Sequence, residues 1–336
     1  MYSFVFCVEF DYKCRENPWF FVILYINFFP QKKMKQIKIW IEAIRLRTLP
    51  VSVSGVLIAV GLAKFNGQFR LLPSLMCVVF AVLAQIVSNL ANEYFDFKAG
   101  TDKKGRVGPR RGVTEGDITP SAMKCAMIGT LVVACLVGLS MLLVVEPGDG
   151  YRNWLMLIGA GILIAIFAFA YSAGPYPLSY HALGEVAVMG FYGLVPVIFT
   201  YYVVSGGVFH PFAVIAGIAI GFMGVNVLLV NNYRDVDDDR EAGKRTSVVV
   251  FGRKLAALAY LVNGLLAMSA LGVVWIRLYF ASAWWFVLPM LAYLLLHIAT
   301  WRKLTHTTGA ALNPLLGATA RNMLIFTVLL CAILLI

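Results

Sequence analysis

Two short stretches concentrate acids and amides in an otherwise apolar chain: LANEYFDFKAGTD at 90–102 and NNYRDVDDDREAGKRT at 231–246. At an offset of 139 residues, Asn92, Tyr94, Asp96 and Arg106 match Asn231, Tyr233, Asp235 and Arg245, so N-x-Y-x-D-x9-R occurs twice. Helical spacing makes each copy a ligand set. Gln85, Asn89, Asn92 and Asp96 recur at steps of four, three and four and share one helix face, and Asn231, Asp235 and Asp239 recur at steps of four. Asp102 lies six residues beyond Asp96, with Gly100 placed to end the helix and let the chain turn back. Asp237 and Asp238 fall off the ligand stripe and read as solvated or structural. Ionised carboxylates in one pocket repel and need cations, and an oxygen-only donor set with Asn points to Mg²⁺. Mg²⁺ commonly shares its shell with substrate phosphates. Lys103, Lys104, Arg106, Arg110, Arg111, Arg240, Lys244 and Arg245 stand close by in sequence to contact the remaining phosphate oxygens. Acid for metal and base for phosphate together describe a diphosphate site. The plainer alternative, juxtamembrane charge with Asn capping helix ends, accounts for one such cluster better than for a matched pair.

The elements that position these clusters follow from composition. Of 336 residues 60% are hydrophobic and 13% charged, with mean hydropathy +0.81, the balance of a polytopic membrane protein. Nine segments are long and apolar enough to span a bilayer as helices, at about 48–65, 71–92, 122–145, 154–172, 183–204, 212–230, 255–276, 283–300 and 314–336. The expected fold is therefore an all-α membrane bundle of nine transmembrane helices. The loops on one side hold 22 of the 28 Lys and Arg and the opposite loops four, which places the first side, and both acidic clusters, in the cytoplasm. Positive charge flanking membrane helices accounts for the net +11, and no nucleic-acid module is apparent, so nucleic acid is excluded as a partner. Anionic lipid and a polyanionic substrate fit that charge.

Other features carry less. Cys77, Cys125, Cys135 and Cys331 lie in apolar segments without C-x-x-C spacing and read as small buried hydrophobes, and no two of the four histidines share a metal-ligand spacing. Residues 1–33 hold 11 aromatics and an apolar run, WFFVILYINFF, too short to span. They lack the basic start and small-residue cleavage site of a signal peptide. Met34 opens a basic amphipathic lead, MKQIKIWIEAIRLRTLP, into the first span, and residues 1–33 are expected to be a tail upstream of the natural start, with one domain over 34–336.

With these motifs in view, the chain resembles the UbiA superfamily of intramembrane prenyltransferases, whose nine helices carry Asp-rich motifs after helices two and six. SNLANEYFDFKAGTDKKGRVGPRRG, YSAGPYPLSYHALGE and NNYRDVDDDREAGKRTSVVVFG look like the branch acting on 1,4-dihydroxy-2-naphthoate in menaquinone synthesis. The resemblance runs from about Ile37 to the carboxyl end. Two positions depart from the family's patterns. The Tyr-x-x-x-Lys motif of benzoate-type members is absent, since Pro175 stands four residues after Tyr171, and Glu93 replaces an expected Asp.

The resemblance implies a polyprenyl diphosphate donor whose chain lies in an apolar groove open to membrane lipid. Mg²⁺ on Asn92, Asp96, Asp102, Asn231, Asp235 and Asp239 would neutralise the departing diphosphate, with Asp96, Asp102, Asp235 and Asp239 as the catalytic carboxylates. Arg45, Arg106, Arg110, Lys244 and Arg245 would bind its oxygens. The allylic cation would be attacked by the ring carbon bearing the carboxylate, with loss of CO₂ and a proton giving a demethylmenaquinol. Asn89, Phe95 and Tyr171 would wall the acceptor pocket, and Glu185 would either orient a basic residue or cap its helix. The implied setting is the cytoplasmic (inner) membrane, with the site facing the cytoplasm. The rival readings are a UbiA-type enzyme with another aromatic acceptor and a membrane transporter, which would place its acids near the bilayer midplane at broken helices.

Overall fold

The computed structural model describes residues 31–146, 148–279, 285 and 287–334, and the expectations for the first 30 residues lie outside this range. From Ala43 onward the chain is one compact unit, which among the described residues is built of helices. In chain order these are α1 (Gln31–Ile44), α2 (Leu49–Phe65), α3 (Leu71–Lys98), α4 (Pro120–Ser140), α5 (Arg152–Ala170), α6 (Gly184–Val204), α7 (Pro211–Glu241), α8 (Ser247–Tyr279), α9 (Val287–His306) and α10 (Asn313–Leu334). Among the described residues eight segments are long and apolar enough to cross a membrane, and they coincide with eight of the nine expected spans. The other expected span, 283–300, overlaps α9 from Val287 onward, its residues 283, 284 and 286 lying outside the described range; α9 is long enough but carries His297, Arg302 and Lys303.

Local chemistry explains the helix ends. Pro120 opens α4 at a position that needs no N–H donor, and the Thr119 side chain before it accepts from Ala122 N–H at 3.2 Å. Pro211 opens α7 in the same way, with His210 Nδ1 accepting from Phe212 N–H at 3.2 Å. Both motif helices stop at a left-handed glycine. After α3, Gly100 (φ 70) donates to Phe97 C=O and Thr101 N–H to Asp96 C=O; after α7, Gly243 (φ 74) donates to Arg240 C=O and Lys244 N–H to Asp239 C=O.

The core lies where α7 packs against α2, α6, α8 and α10, and α7 alone buries residues from Ala213 to Val236. At the α6–α7 contact the backbones nearly touch. A Cβ on Gly193 would lie 2.5 Å from both the Gly217 carbonyl oxygen and the Gly221 Cα, the close approach that small residues permit in membrane bundles. Residues Met189–Leu194 widen into a π turn just before Pro196, which has no N–H to continue the ladder and whose ring clashes with a carbonyl one turn back. By contrast α5 buries little beyond Asn153 and Ala160, as a helix facing lipid should. Likewise Cys125 and Cys135 on α4 are exposed, against expectation, while Cys77 is buried; all four described cysteines are free.

Candidate active site

Helices α2 to α7 enclose a cavity of about 520 Å³. Along α3 its lining runs through Asp96, Asn92, Asn89, Gln85, Ala81 and Cys77, one face of a helix rising 1.5 Å per residue, so the stripe extends over roughly 28 Å. One end is charged: Arg45, Asn92, Asp96, Arg106, Arg111, Asn231, Asp235, Asp239 and Lys244 meet there. The other end is apolar, lined by Phe80, Leu139, Met141, Leu142, Leu157 and Val203.

In the charged end, acids and bases interleave. Arg106 reaches from the loop after α3 to bridge the two motifs, with Nη1 3.0 Å from Asp102 Oδ1 and Nη2 2.9 Å from Asp235 Oδ2. Burial favours its neutral form, but the Asp235, Asp102 and Asp96 carboxylates outweigh this and hold its pKa above the ordinary value. Lys244 crosses the other way, 3.0 Å from Asp96 Oδ1 and 4.7 Å from the Tyr180 ring centroid. The Tyr180 hydroxyl donates to the same Asp96 oxygen at 2.6 Å. Arg45 Nη2 and Arg111 Nη2 both donate to Asn92 Oδ1, at 2.8 and 3.1 Å, and Asn92 donates to Ser172 Oγ at 2.9 Å. Arg45 does this from a left-handed backbone (φ 57), an uncommon conformation for a residue with a side chain.

Most of the expected site residues converge here, and the exceptions have clear causes. Asn92, Asp96, Asn231, Asp235, Asp239, Arg45, Arg106 and Lys244 line the cavity. Asp102 does not. It stands behind Arg106 and Arg111, 3.0 and 3.3 Å from their nitrogens, and burial together with the nearby Asp96 charge pushes its carboxyl up to about 6. Arg110 turns outward onto Asp117, so its neighbour Arg111 takes the inward place. Arg245 is exposed and contributes its backbone N–H to Tyr180 C=O at 3.0 Å. The sequence repeat fails at this arginine because α7 runs one turn further past the matched Asp than α3 does. The terminating glycine comes four residues after Asp96 but eight after Asp235. Asn89 and Tyr171 line the cavity, whereas Phe95 packs edge-on to Phe169 instead. Glu185 neither meets a base nor caps its helix. It accepts from Asn232 at 3.1 Å and from the Ser247 hydroxyl, joining α6 to α7 and α8.

At the charged end of the cavity the side chains able to bind a metal, Asn92, Asp96, Asn231, Asp235 and Asp239, offer oxygens, the chemistry Mg²⁺ prefers. Among the described residues, however, no three Asp, Glu, His or Cys side chains stand close enough together to hold an ion. Arg106 and Lys244 lie between the carboxylates and neutralise them. Of the expected six-residue ligand set, five line the cavity with these two bases between them, and Asp102 stands behind the arginines.

Residues 52–316 match the UbiA prenyltransferase family. This chain belongs to that family. Within the UbiA family it is 33% identical over 302 residues to the 1,4-dihydroxy-2-naphthoate octaprenyltransferase of Escherichia coli (strain K12), covering 89% of this chain and 96% of that one. It is also 33% identical to the enzyme of the same name from Mycobacterium tuberculosis, over 85% and 93% of the two chains. Its fold resembles that of a UbiA homolog from Archaeoglobus fulgidus solved with DMAPP and Mg²⁺, with TM-score 0.60 at 13% identity over 87% and 98% of the chains.

Arg234 and Tyr180 are site residues that the sequence did not reveal. Arg234 is buried and grips Asp235 with two bonds of 2.7 Å, from Nε to Oδ1 and from Nη2 to Oδ2, while Nη2 also reaches Asn231 Oδ1 at 2.9 Å. Its position immediately before the motif Asp was the available signal, but positive charge flanking a membrane helix has a commoner explanation. Tyr180 was equally hidden, because its link to Asp96 crosses 84 residues.

Proposed function

We propose that this protein transfers a polyprenyl group from polyprenyl diphosphate to 1,4-dihydroxy-2-naphthoate, with loss of CO₂ and diphosphate, to give a demethylmenaquinol. The observation that carries the reading is the cavity's polarity: acids and bases at one end and an apolar stripe beyond suit an amphiphile with a polyanionic head. The choice of acceptor is supported by the names of the relatives above.

Mg²⁺ would be held by Asn92 and Asp96 on one side and Asn231, Asp235 and Asp239 on the other; when bound it draws negative charge from the departing diphosphate. Arg106 and Lys244, displaced from the carboxylates, turn to the phosphate oxygens together with Arg45 and Arg111. The bond between the allylic carbon and the diphosphate oxygen breaks, and the oxygen keeps the pair. Phe167 and Phe191, stacked with centroids 3.7 Å apart, and Tyr192 wall the cavity, exclude water and offer ring faces to the allylic cation. The acceptor ring lies toward Tyr171 and Asn89, where the buried Gln85 Oε1, itself without a hydrogen-bond partner, is placed to accept from a ring hydroxyl. The ring carbon bearing the carboxylate forms the new C–C bond, and departure of CO₂ leaves its bonding pair in the ring and restores aromaticity. The excess of Lys and Arg on the loops that carry both motifs supports a site on the cytoplasmic face of the inner membrane.

The test supplies membranes containing the protein with carboxyl-¹³C-labelled 1,4-dihydroxy-2-naphthoate and a polyprenyl diphosphate, in Mg²⁺ or EDTA, and follows products by mass spectrometry. Prenylated product and labelled CO₂ are expected together and only with Mg²⁺. Diphosphate binding without turnover would overturn the acceptor and direct attention to other aromatic rings.

A further inference from the structure

Arg106 is a side chain that joins the two motifs, yet it stands on a loop, where backbone is ordinarily least fixed. The next residue shows how it is held. Val107 N–H donates to Asp238 Oδ2 at 3.1 Å, and Val107 C=O accepts from Asn313 Nδ2 at 3.2 Å. Asn313, at the start of α10, also accepts from Arg234 Nη1 at 3.1 Å through its Oδ1. One amide therefore ties the loop of the first motif to the arginine that grips Asp235 in the second. The chain passes so closely over both guanidinium groups that a Cβ on Gly108 would lie 2.9 Å from Arg234 Nη2 and 3.0 Å from Arg106 Nη2.

We propose that Asp238 and Asn313 are positioning residues: by clamping the N–H and the C=O of Val107 they set Arg106 between Asp102 and Asp235, ready for the diphosphate end of the donor. This rests on the reading of the charged end as a diphosphate site. Asp238 is not a ligand in this scheme; it acts as a hydrogen-bond acceptor, so its charge is dispensable and its oxygen is not. Asn313 needs both its ends, the N–H for Val107 and the oxygen for Arg234.

The test uses the full chain in detergent or membranes and reads two quantities: half-saturation by inorganic diphosphate with Mg²⁺ in a thermal-shift assay, and KM for each substrate in turnover. Asp238→Ala is expected to weaken diphosphate binding and raise the KM for prenyl diphosphate about tenfold, with the acceptor KM and the ligand-free melting temperature unchanged. Asp238→Asn, whose amide oxygen can still accept from Val107, should restore both values to near wild type. Asn313→Asp, which keeps the acceptor for Arg234 but loses the donor to Val107, should behave as Asp238→Ala does. Equal behaviour of Asp238→Asn and Asp238→Ala would overturn the proposal in favour of a charge effect, and unchanged diphosphate binding in both Asp238→Ala and Asn313→Asp would overturn it outright. A drop in melting temperature that accounts for the whole loss would assign the pair a purely structural role. Absence of turnover with 1,4-dihydroxy-2-naphthoate, while diphosphate binding still follows the expected order, would reject the acceptor and leave the clamp standing.

Discussion

At residue scale the site is a matter of which neighbour turns inward. Arg110 and Arg111 are adjacent in sequence, but Arg111 is buried among Asn92, Asp96 and Asp102 while Arg110 is half exposed on Asp117. Arg111→Ala is therefore expected to reduce kcat/KM for prenyl diphosphate at least a hundredfold, by removing a buried donor and leaving carboxylates uncompensated. Arg110→Ala should change it less than threefold, and steady-state kinetics on the two variants checks the pair. Glu93, set where Asp was expected, is buried and accepts from Val113 N–H at 3.1 Å, so it holds the far end of the same loop. Asp102 makes a stability prediction. Its carboxyl, raised from the usual 3.8 to about 6, binds its proton more tightly folded than unfolded. Its contribution is therefore fully present below about pH 3.8 and is lost as pH rises through about 6. Asp102→Asn should raise the melting temperature of the metal-free protein more at pH 8 than at pH 5, as thermal denaturation at the two pH values would reveal.

At the scale of elements, the contact between α6 and α7 depends on having no side chain. Gly193→Ala puts a methyl against backbone, where no rotamer change gives relief, and either the helices separate or the π turn shifts. A melting temperature lowered by several degrees is expected, with prenyl transfer reduced because Phe191 and Tyr192 on that turn line the cavity. Gly159→Ala on lipid-facing α5 meets nothing within 4 Å and serves as the control. A melting curve that treats the two alike would refute the close-packing argument. The α3 and α7 ends show how local chemistry can be shared while geometry differs. Both finish in the same glycine-terminated turn, but one extra turn of α7 leaves Asp235 deeper than its sequence counterpart Asp96 relative to the helix end.

At the scale of the whole molecule, the apolar extent of the cavity constrains the donor. Gly161 lines it, and a Cβ there would meet nothing within 4 Å, so a larger side chain enters open space rather than colliding with the protein. Gly161→Phe is expected to slow transfer from long polyprenyl diphosphates at least tenfold while sparing a ten-carbon donor. Equal loss with short and long donors would show that the chain does not pass α5. The same cavity separates the outer, lipid-facing α4 and α5 from the packed half around α7.

Local sequence properties set the membrane class, the eight spans recovered, the two acidic motifs and Gly100 as the end of the first motif helix, whereas Gly243 as the end of the second emerged only in the structure. Those properties are hydropathy over about twenty residues, the 3.6-residue period and the left-handed preference of glycine. Tertiary structure alone decided which base faces which acid. Tyr180 reaches Asp96, Arg106 reaches Asp235, and Asn313 reaches Val107 across 84, 129 and 206 residues. Such pairings depend on how helices approach and where loops turn back, and no periodicity within one segment encodes them. Asp102 and Arg245 mark the boundary between the two. Their residue types fit the site's chemistry, but side-chain direction in a loop is set by the backbone turns and neighbours around it, which place one behind the arginines and the other outside.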